Sequence, residues 1–282
     1  MSKLKFCAGI TLYNPSEENI RNIYEYKSSF EKIFIYNNSE KIVNIKILEQ
    51  SEKFIIISEN KNDGLPKAYN KILKICQEEN IDFLCTLDQD SFFSTDDISA
   101  IKKLIENNFM EWRKKVAIIA PYIEYKKSYE KKREKRISEI NEKKWVITSG
   151  SFLNIKLLKE YELNYDENYF IDKFEIDLCK KIILKKLKIY MYLKSVLYQE
   201  LGEKNSKNKI NHNPLRHYYL FRNRFYFNNK FYTFPKKYFL NIAQTLRHIF
   251  MIIFNEDDKL KKLKMFVKAY KDYKKNKMGK VI

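Results

Sequence analysis

The sequence has 282 residues, of which 44% are hydrophobic, and this content excludes a globally disordered chain. Lys and Arg number 55 against 36 Asp and Glu, so the net charge of +19 predicts polyanionic partners: nucleic acid, an anionic membrane surface or phosphorylated substrates. We expect no secretory signal and no transmembrane helix, because no apolar stretch reaches about 18 residues. The four cysteines lack CxxC spacing, which indicates buried, reduced thiols in a cytoplasmic protein.

Apolar runs and helical patterns alternate along the first half of the chain. This βαβαβ order predicts an α/β fold with a mostly parallel sheet flanked by helices. The predicted strands are 6–13, 32–36, 54–57, 83–87 and 116–121, and the predicted helices between them begin after Ser16, at Leu65 and at a Thr95 cap.

The second half of the chain is less regular. Dense charge at 124–144 predicts an exposed loop, and 145–149 predicts a strand that ends at Gly150. A helix is predicted over 174–187, with extended segments at 189–193 and 196–198. Beyond residue 210 the composition becomes basic and aromatic. We therefore predict an α/β domain at 1–210 and a helical tail at 211–282.

Two acids follow the strand predicted at 83–87. Asp88 and Asp90 flank Gln89 just where ligands gather in open α/β sheets, beyond the carboxyl end of a strand. Carboxylate oxygens are ligands that Mg²⁺ and Mn²⁺ prefer, and a cation held there neutralises a pyrophosphate. An ordinary polar turn explains the acid pair equally well on its own.

Eight short motifs extend this interpretation over nearly the whole chain. In their order they resemble the inverting GT-A glycosyltransferases of family 2, and most closely the bacterial rhamnosyltransferase-like branch. The motifs are ITLYN at 10–14, YNNS at 36–39, NDGLPKAYN at 62–70, LDQDS at 87–91, TSGSF at 148–152, FIDKFEIDLCKK at 170–181, LGE at 201–203 and NPLRHYYLFRN at 213–223.

The resemblance implies a GT-A fold and a role for each matched residue. It assigns Asp90 to a divalent cation, Mg²⁺ or Mn²⁺, and Asp88 to the ribose or the same cation. For Asn38 and the 62–64 turn, ordinary turn chemistry is an alternative of equal weight. The residues implied in nucleotide-sugar binding are Tyr13, Asn14, Asn38, Asn62, Gly64, Asn70, Asp88 and Gln89.

Inversion requires a base that takes the proton of the acceptor hydroxyl. The resemblance places Asp172 and Glu175 at the two acids of the branch motif, and the second of these is usually Asp and usually the base. We favour Glu175 and keep Asp172 as the alternative, while Asp177 suits the helix dipole. Two positions depart from the branch: Lys181 replaces an Arg, and Gln199 replaces a His that can help to hold the metal.

Gly150 and Arg222 are the remaining matched positions. The resemblance implies that they contact the acceptor or a phosphate, because an arginine fork suits pyrophosphate. Core packing is an alternative of equal weight for Arg222. In the tail, an apolar and aromatic segment at 238–254 precedes a lysine-rich helix at 259–277, a pattern typical of an interfacial anchor. Helices that pack on the catalytic body are the competing explanation.

The resemblance therefore implies transfer of a sugar from a dTDP- or UDP-linked donor to a glycan or lipid-linked acceptor. Rhamnose is the donor sugar that the branch suggests. We expect a cytoplasmic enzyme, peripheral at the inner face of the membrane, with no nucleic-acid partner. A metal-dependent nucleotidyltransferase is one alternative, although 11–16 lacks a Gly-rich phosphate loop. A basic nucleic-acid-binding protein is the other, although no module signature is present.

Overall fold

The computed structural model describes residues 3–41, 43–125, 139–199 and 211–281, and these form two compact units. The first unit contains the described residues up to 166 together with 175–199, and the second contains 167–174 and 211–281. Residue 210, the predicted domain boundary, and the LGE motif at 201–203 lie outside the described residues. The division into domains 1–210 and 211–282 therefore stays a prediction.

The first unit is built on a sheet to which the described residues contribute nine strands. Its order is β3-β2-β1-β4-β8-β6-β9-β5, with β7 paired to β9. Pairing directions show that six strands run the same way, while β5, β7 and β8 run against them. The strands are β1 (Phe6–Leu12), β2 (Ile33–Asn37), β3 (Phe54–Ser58), β4 (Phe83–Asp88), β5 (Ser91–Phe93), β6 (Val116–Tyr125), β7 (Ile140–Glu142), β8 (Ser151–Asn154) and β9 (Lys188–Gln199).

Helices flank this sheet, so the predicted α/β fold with a mostly parallel sheet is confirmed. Strands β1 and β2 are buried along their whole length, as expected for apolar runs covered on both faces. The helices of this unit are α1 (Glu17–Glu25), which a 3₁₀ turn at Tyr26–Ser28 continues, α2 (Lys46–Glu49), α3 (Leu65–Glu78), α4 (Thr95–Trp112), α5 (Ile155–Glu160) and α6 (Phe174–Leu184).

Three local expectations were wrong. The strand expected at 145–149 begins after Gly150 instead, because Gly150 takes a left-handed φ of +79° and its N–H donates to the Thr86 carbonyl at 2.7 Å. Ser94, and not Thr95, caps α4, since its Oγ accepts from the N–H of Asp97. The expected loop at 124–144 contains β7 instead; residues 126–138 of that loop lie outside the described residues.

The second unit consists of three long helices and the segment 167–174. The helices are α7 (Pro214–Phe231), α8 (Lys236–Asn255) and α9 (Lys259–Lys274), so the predicted helical extension is present. Aromatic rings fill their common core, among them Tyr218, Phe221 and Phe225. One face of α8 remains exposed and apolar; we call it the α8 stripe, and it contains Phe239, Ile242, Leu246, Phe250, Ile253 and Phe254.

Spacings of three and four residues place these side chains on one side of α8. Phe239 is 71% exposed and Leu246 is 62% exposed, so the stripe contributes little to the core of this unit. Across the described residues, none of the helices has the length and apolar character that crossing a bilayer requires.

Candidate active site

The candidate site lies in the first unit, at the carboxyl end of β4. Asp88 ends this strand and Asp90 is exposed in the turn that follows. The Asp88 N–H donates to Ser149 Oγ at 3.0 Å, and the Ser149 hydroxyl donates to Ser91 Oγ at 2.8 Å. These two bonds fix the backbone at the acid pair from the segment before β8 and from β5.

Gln89 joins this turn to the neighbouring parallel strand. Its Oε1 accepts from the Tyr13 N–H at 2.8 Å, and its Nε2 donates to the Tyr13 carbonyl at 3.2 Å. A side-chain amide that bonds both the N–H and the C=O of one residue imitates the hydrogen bonding between two β-strands. The ends of β1 and β4 are therefore held together by the residue between the two acids.

Asn14, the residue after Tyr13, takes a left-handed φ of +45° and donates its N–H to Ser39 Oγ at 2.8 Å. A cavity of about 460 Å³ lies beside it, lined also by Ser16, Ile20 and Lys41. Tyr13 is 52% exposed at the same end of β1. Of these two predicted nucleotide-binding residues, Asn14 thus borders an open cavity at the carboxyl end of β1, and Tyr13 precedes it in the chain.

Asn38 organises the turn before α3. Its Oδ1 accepts from the Asp63 N–H at 3.1 Å, and its Nδ2 donates to the Gly64 carbonyl at 3.4 Å. Asn62 closes the same turn by accepting from the Gly64 N–H at 3.1 Å. For Asn38 the structure therefore supports turn chemistry, and Gly64 supplies the φ of +81° that this turn requires.

Asp63 in this turn is anchored by cations and a phenol. Tyr36 donates to its carboxylate at 2.7 Å, and Lys67 forms an ion pair with it at 3.0 Å. Burial alone would raise the pKa of Asp63, but these two partners lower it below the ordinary value. The carboxylate is thus held ionised as part of the loop structure.

Asn70 forms a second amide clamp, here with Tyr165. Its Nδ2 donates to the Tyr165 carbonyl at 2.9 Å and its Oδ1 accepts from the Tyr165 N–H at 3.0 Å. The Tyr165 ring lies 5.7 Å from that of Tyr69, whose hydroxyl donates to the Leu87 carbonyl. Two buried phenols thereby connect α3 and the segment after α5 to the strand that carries Asp88.

Tyr165 is also the residue that relates Glu175 to Asp88. Burial raises the pKa of the Tyr165 phenol first, and the neighbouring acidic groups of Cys179, Glu175 and Asp88 raise it further. Glu175 stands in the first turn of α6. The predicted base and the predicted metal acid are therefore both near enough to this buried phenol to influence its pKa.

Asp177 occupies a different position from Glu175. It is completely buried and forms an ion pair with Lys181 at 2.9 Å, four residues later on α6. Lys181 also donates to the Asn164 carbonyl at 3.0 Å. This pair anchors the helix, in agreement with the structural role expected for Asp177.

Gly150 follows Ser149 where the chain turns into β8. A Cβ atom built there would lie 2.7 Å from Pro121 Cγ and 2.8 Å from a methyl carbon of Leu197. Such distances leave no room for a side chain, so glycine is required here for packing and for its positive φ. A contact between Gly150 and an acceptor stays a prediction.

The donor set fits a divalent cation with few protein ligands. Asp88 and Asp90 offer carboxylate oxygens, and Gln199 Nε2 donates to Asp88 Oδ2 at 3.3 Å, which places the amide of this His-replacing residue beside the acid pair. Among the described residues, no group of three or more His, Cys, Asp and Glu side chains is arranged to hold a metal. Phosphate oxygens and water would therefore complete the coordination of Mg²⁺ or Mn²⁺.

Asp172 and Arg222 belong to the second unit. Asp172 has a left-handed φ of +59°, its carboxylate pairs with Arg216 at 3.3 Å, and its carbonyl accepts from Asn223 at 3.0 Å. Arg222 is 1% exposed, and its guanidinium lies 5.2 Å from the Tyr219 ring centroid. This burial favours the packing role of Arg222 over contact with a phosphate.

Sequence reasoning did not identify Ser149, Ser91 and Tyr165 as parts of the site. Ser149 lies in the motif at 148–152 and Ser91 in the motif at 87–91, which were usable signals, whereas Tyr165 reaches the site only through tertiary packing. All four cysteines are buried and free, as expected.

Comparisons with known proteins agree with this fold. The family model described as glycosyl transferase family 2 matches residues 9–177. A structure of S. aureus TarS 1-349 in complex with UDP-GlcNAc shares 13% identity at a TM-score of 0.62, covering 97% of this chain and 81% of that one. A structure of GalNAc-T7 with UDP, GalNAc and Mn²⁺ shares 13% identity at a TM-score of 0.56, covering 71% and 44%. A search of curated proteins gives no match.

Proposed function

Because this chain belongs to glycosyl transferase family 2, we propose that it is an inverting, metal-dependent glycosyltransferase that uses a nucleotide-sugar donor. The observation that carries the proposal is the joining of the β1 and β4 ends by Gln89, which brings Tyr13 to the acid pair Asp88 and Asp90. The family match also favours a glycosyltransferase over a nucleotidyltransferase or a nucleic-acid-binding protein.

In the proposed reaction, Tyr13 and Asn14 border the nucleoside, and Asp88 and Asp90 face the diphosphate. A bound Mg²⁺ or Mn²⁺ would supply positive charge where the leaving diphosphate becomes more negative. Two neighbours give this idea its support, since one was solved with UDP-GlcNAc and the other with UDP and Mn²⁺. UDP-linked donors are therefore proposed beside dTDP-rhamnose, which the branch resemblance suggests.

Glu175 is the proposed base. It accepts the proton of the acceptor hydroxyl while the hydroxyl oxygen forms a bond to the anomeric carbon. The bond from that carbon to the β-phosphate oxygen breaks on the opposite face, and the nucleoside diphosphate leaves with the electron pair. Asp172 is the alternative base, although its carboxylate already pairs with Arg216.

The acceptor is proposed to be a glycan or a lipid-linked glycan, and the enzyme to act at the cytoplasmic face of a membrane. The exposed α8 stripe supports this location. So does the charge of the helical tail, in which residues 211–281 contain 17 Lys and Arg against four Asp and Glu.

A donor-hydrolysis screen tests the function directly. The purified chain is incubated with UDP-, dTDP- and GDP-linked sugars in Mg²⁺ or Mn²⁺, and the release of nucleoside diphosphate is measured. We expect one donor class to be consumed by the wild type and spared by Asp90→Asn. If every donor is hydrolysed equally by both proteins, the activity does not come from the proposed site.

A further inference from the structure

A cavity of about 360 Å³ lies within the helical unit, between α7, α8 and α9. Five of the eleven residues that line it are aromatic, namely Phe225, Tyr238, Phe266, Tyr270 and Tyr273. Its size falls within the range of pockets for small organic ligands, and such pockets combine apolar walls with a few placed polar groups.

One buried polar group in this wall points to a ligand. Thr245 is 8% exposed, it lines the cavity, and its Oγ1 has no hydrogen-bond partner among the described residues. A buried hydroxyl without a partner destabilises the fold, so native proteins usually satisfy it with protein, water or ligand. The oxygen itself has almost no surface open to solvent, so a molecule in the cavity would bond this hydroxyl only if the Thr245 side chain turned toward it.

Two cations stand in the same wall. Lys237 comes from the first turn of α8 and donates to Asn229 Oδ1 at 3.3 Å, while Lys274 comes from the last turn of α9. Each lies near an aromatic ring, Lys237 5.4 Å from the Tyr238 centroid and Lys274 5.9 Å from that of Tyr270. Ammonium groups from two helices at one cavity favour an anionic ligand.

The cavity is also continuous with the exposed apolar surface of α8. Ile242 belongs both to the cavity wall and to the α8 stripe, and Tyr238, 55% exposed, stands one turn before it. A ligand whose apolar part extends from the cavity would therefore lie along the stripe. A small hydrophilic anion would leave the aromatic wall unused.

We propose that this cavity binds a single-chain amphiphile with a phosphate headgroup, its apolar chain among the rings and its phosphate on Lys237 and Lys274. Thr245 then donates to an oxygen near the junction of chain and phosphate. As a binding site it is independent of glycosyl transfer. Only the further step, that the ligand is the phosphate end of a lipid-linked acceptor, rests on the proposed function.

The test measures binding of monododecyl phosphate below its micellar concentration to the full chain by calorimetry. Inorganic phosphate and dodecyl maltoside are compared under the same conditions. The first carries the charge of the headgroup without the apolar chain, and the second carries the apolar chain without the charge. We expect binding of dodecyl phosphate alone. Binding of inorganic phosphate with equal affinity would make the site a free-phosphate site, and equal binding of the maltoside would indicate a neutral apolar or sugar pocket; either overturns the proposal.

Matched variants locate the binding. Lys237→Gln with Lys274→Gln should weaken it by about tenfold or more, because each lysine contributes a charged contact. Lys236→Gln with Lys275→Gln removes two neighbouring lysines outside the cavity wall and should leave binding unchanged. If both double variants lose the same amount of binding, the cause is general attraction to a basic surface, and the cavity is not the site. Phe250→Ser should weaken binding less than the Lys237 and Lys274 pair, because only the end of the apolar chain would reach the α8 stripe; a loss as large as that of the pair would assign the binding to the stripe instead of the cavity.

Thr245→Val distinguishes a ligand contact from a structural role. It removes a buried hydroxyl without a partner, so the ligand-free chain should melt at the same or a higher temperature. Binding of dodecyl phosphate should weaken at the same time. If the variant binds as well as the wild type, the hydroxyl does not contact the ligand and the proposed orientation is wrong.

Discussion

The two units of this chain distribute polar and apolar side chains in opposite ways. In the first unit, strands β1 and β2 are wholly buried, and the polar residues Tyr13, Gln89 and Asp90 stand at the strand ends. In the second, histidine, arginine and lysine side chains are buried while the phenylalanines of the α8 stripe are exposed. A sheet edge of the first kind suits small charged substrates, and a helical surface of the second kind suits an amphiphilic partner.

The buried polar groups of the second unit form a directed chain of hydrogen bonds. Arg224 donates to His248 Nδ1 at 2.9 Å, so His248 Nε2 donates to His217 Nδ1 at 2.9 Å. His217 Nε2 then donates to Glu256 at 2.8 Å, and Lys262 donates to the same oxygen at 2.8 Å. Each histidine is thus neutral, with one nitrogen donating and the other accepting.

The largest expected effect is on the proposed base. Glu175→Gln should lower the rate of transfer by roughly 10²–10⁴, the usual scale for loss of a general base, with little change in donor affinity. Single-turnover kinetics measures the rate, and nucleotide binding gives the affinity. Asp172→Asn is the matched variant in the second unit. A loss with Asp172→Asn alone would move the base into that unit and contradict the assignment to Glu175.

A smaller effect, on stability, is expected at Gly150. Gly150→Ala should lower the free energy of unfolding by about 2–4 kcal/mol, because a positive φ and contact with Pro121 and Leu197 both oppose a methyl group. Gly279→Ala is the control, since its φ of +76° is similar but a Cβ there has no neighbour within 4 Å. Denaturant unfolding of both variants separates the two causes. Equal losses would mean that backbone strain alone matters.

Acid should destabilise the second unit through His248. Burial, followed by the positive charge of Arg224, lowers the pKa of His248 from 6.5 to about 3. Between these pH values the unfolded chain binds the proton and the folded chain does not, so stability falls as pH falls below 6.5. One such histidine makes the free energy of unfolding roughly 2 kcal/mol lower at pH 5 than at pH 7.5.

The pH test compares denaturant unfolding of the wild type and His248→Gln from pH 7.5 to pH 5. The groups facing His248 are Arg224 and His217 on α7, with Glu256 and Lys262 beyond His217. The pKa values of His217 and Glu256 are also lowered and act in the same direction. The free energy of unfolding of the His248→Gln variant should therefore retain part of its dependence on pH. Arg247→Gln, an exposed neighbour, is the control. If the free energy of unfolding of His248→Gln depends on pH as strongly as that of the wild type, His248 does not cause the acid destabilisation.

The weakest expected effect is attachment to vesicles. Each lysine near an anionic bilayer contributes about 1 kcal/mol, and salt screens this attraction but not the burial of aromatic side chains. Sedimentation with anionic vesicles should therefore weaken, without vanishing, as salt rises. Phe239→Ser with Phe250→Ser should remove the salt-resistant part. Met110→Ser with Leu184→Ser, exposed apolar residues of the first unit, should not. Failure of the wild type to sediment at low salt would rule out the anchor.

Local patterns predicted the first unit well, because its strands are buried apolar runs and its acids follow one of them directly. They also predicted the helical tail, in which α8 contains most of the apolar segment at 238–254 and α9 most of the lysine-rich segment at 259–277. They missed the strand β8 after Gly150, since the apolar residues at 145–149 resemble a strand more than the turn that they form. Ser149 and Tyr165 come near Asp88, and three helices meet around His217, through contacts between residues far apart in sequence. A local sequence pattern does not record such contacts.

The central claim is that Asp88 and Asp90 form a cation-dependent nucleotide site with the residues after β1. Calorimetric titration of UDP and dTDP into the full chain, with Mn²⁺ and then with EDTA, tests it most directly. We expect one nucleotide to bind in Mn²⁺ and to bind at least about tenfold more weakly in EDTA. In Asp90→Asn, the affinities in Mn²⁺ and in EDTA should be the same. Binding of equal strength in Mn²⁺ and EDTA, unchanged in Asp90→Asn, would contradict it.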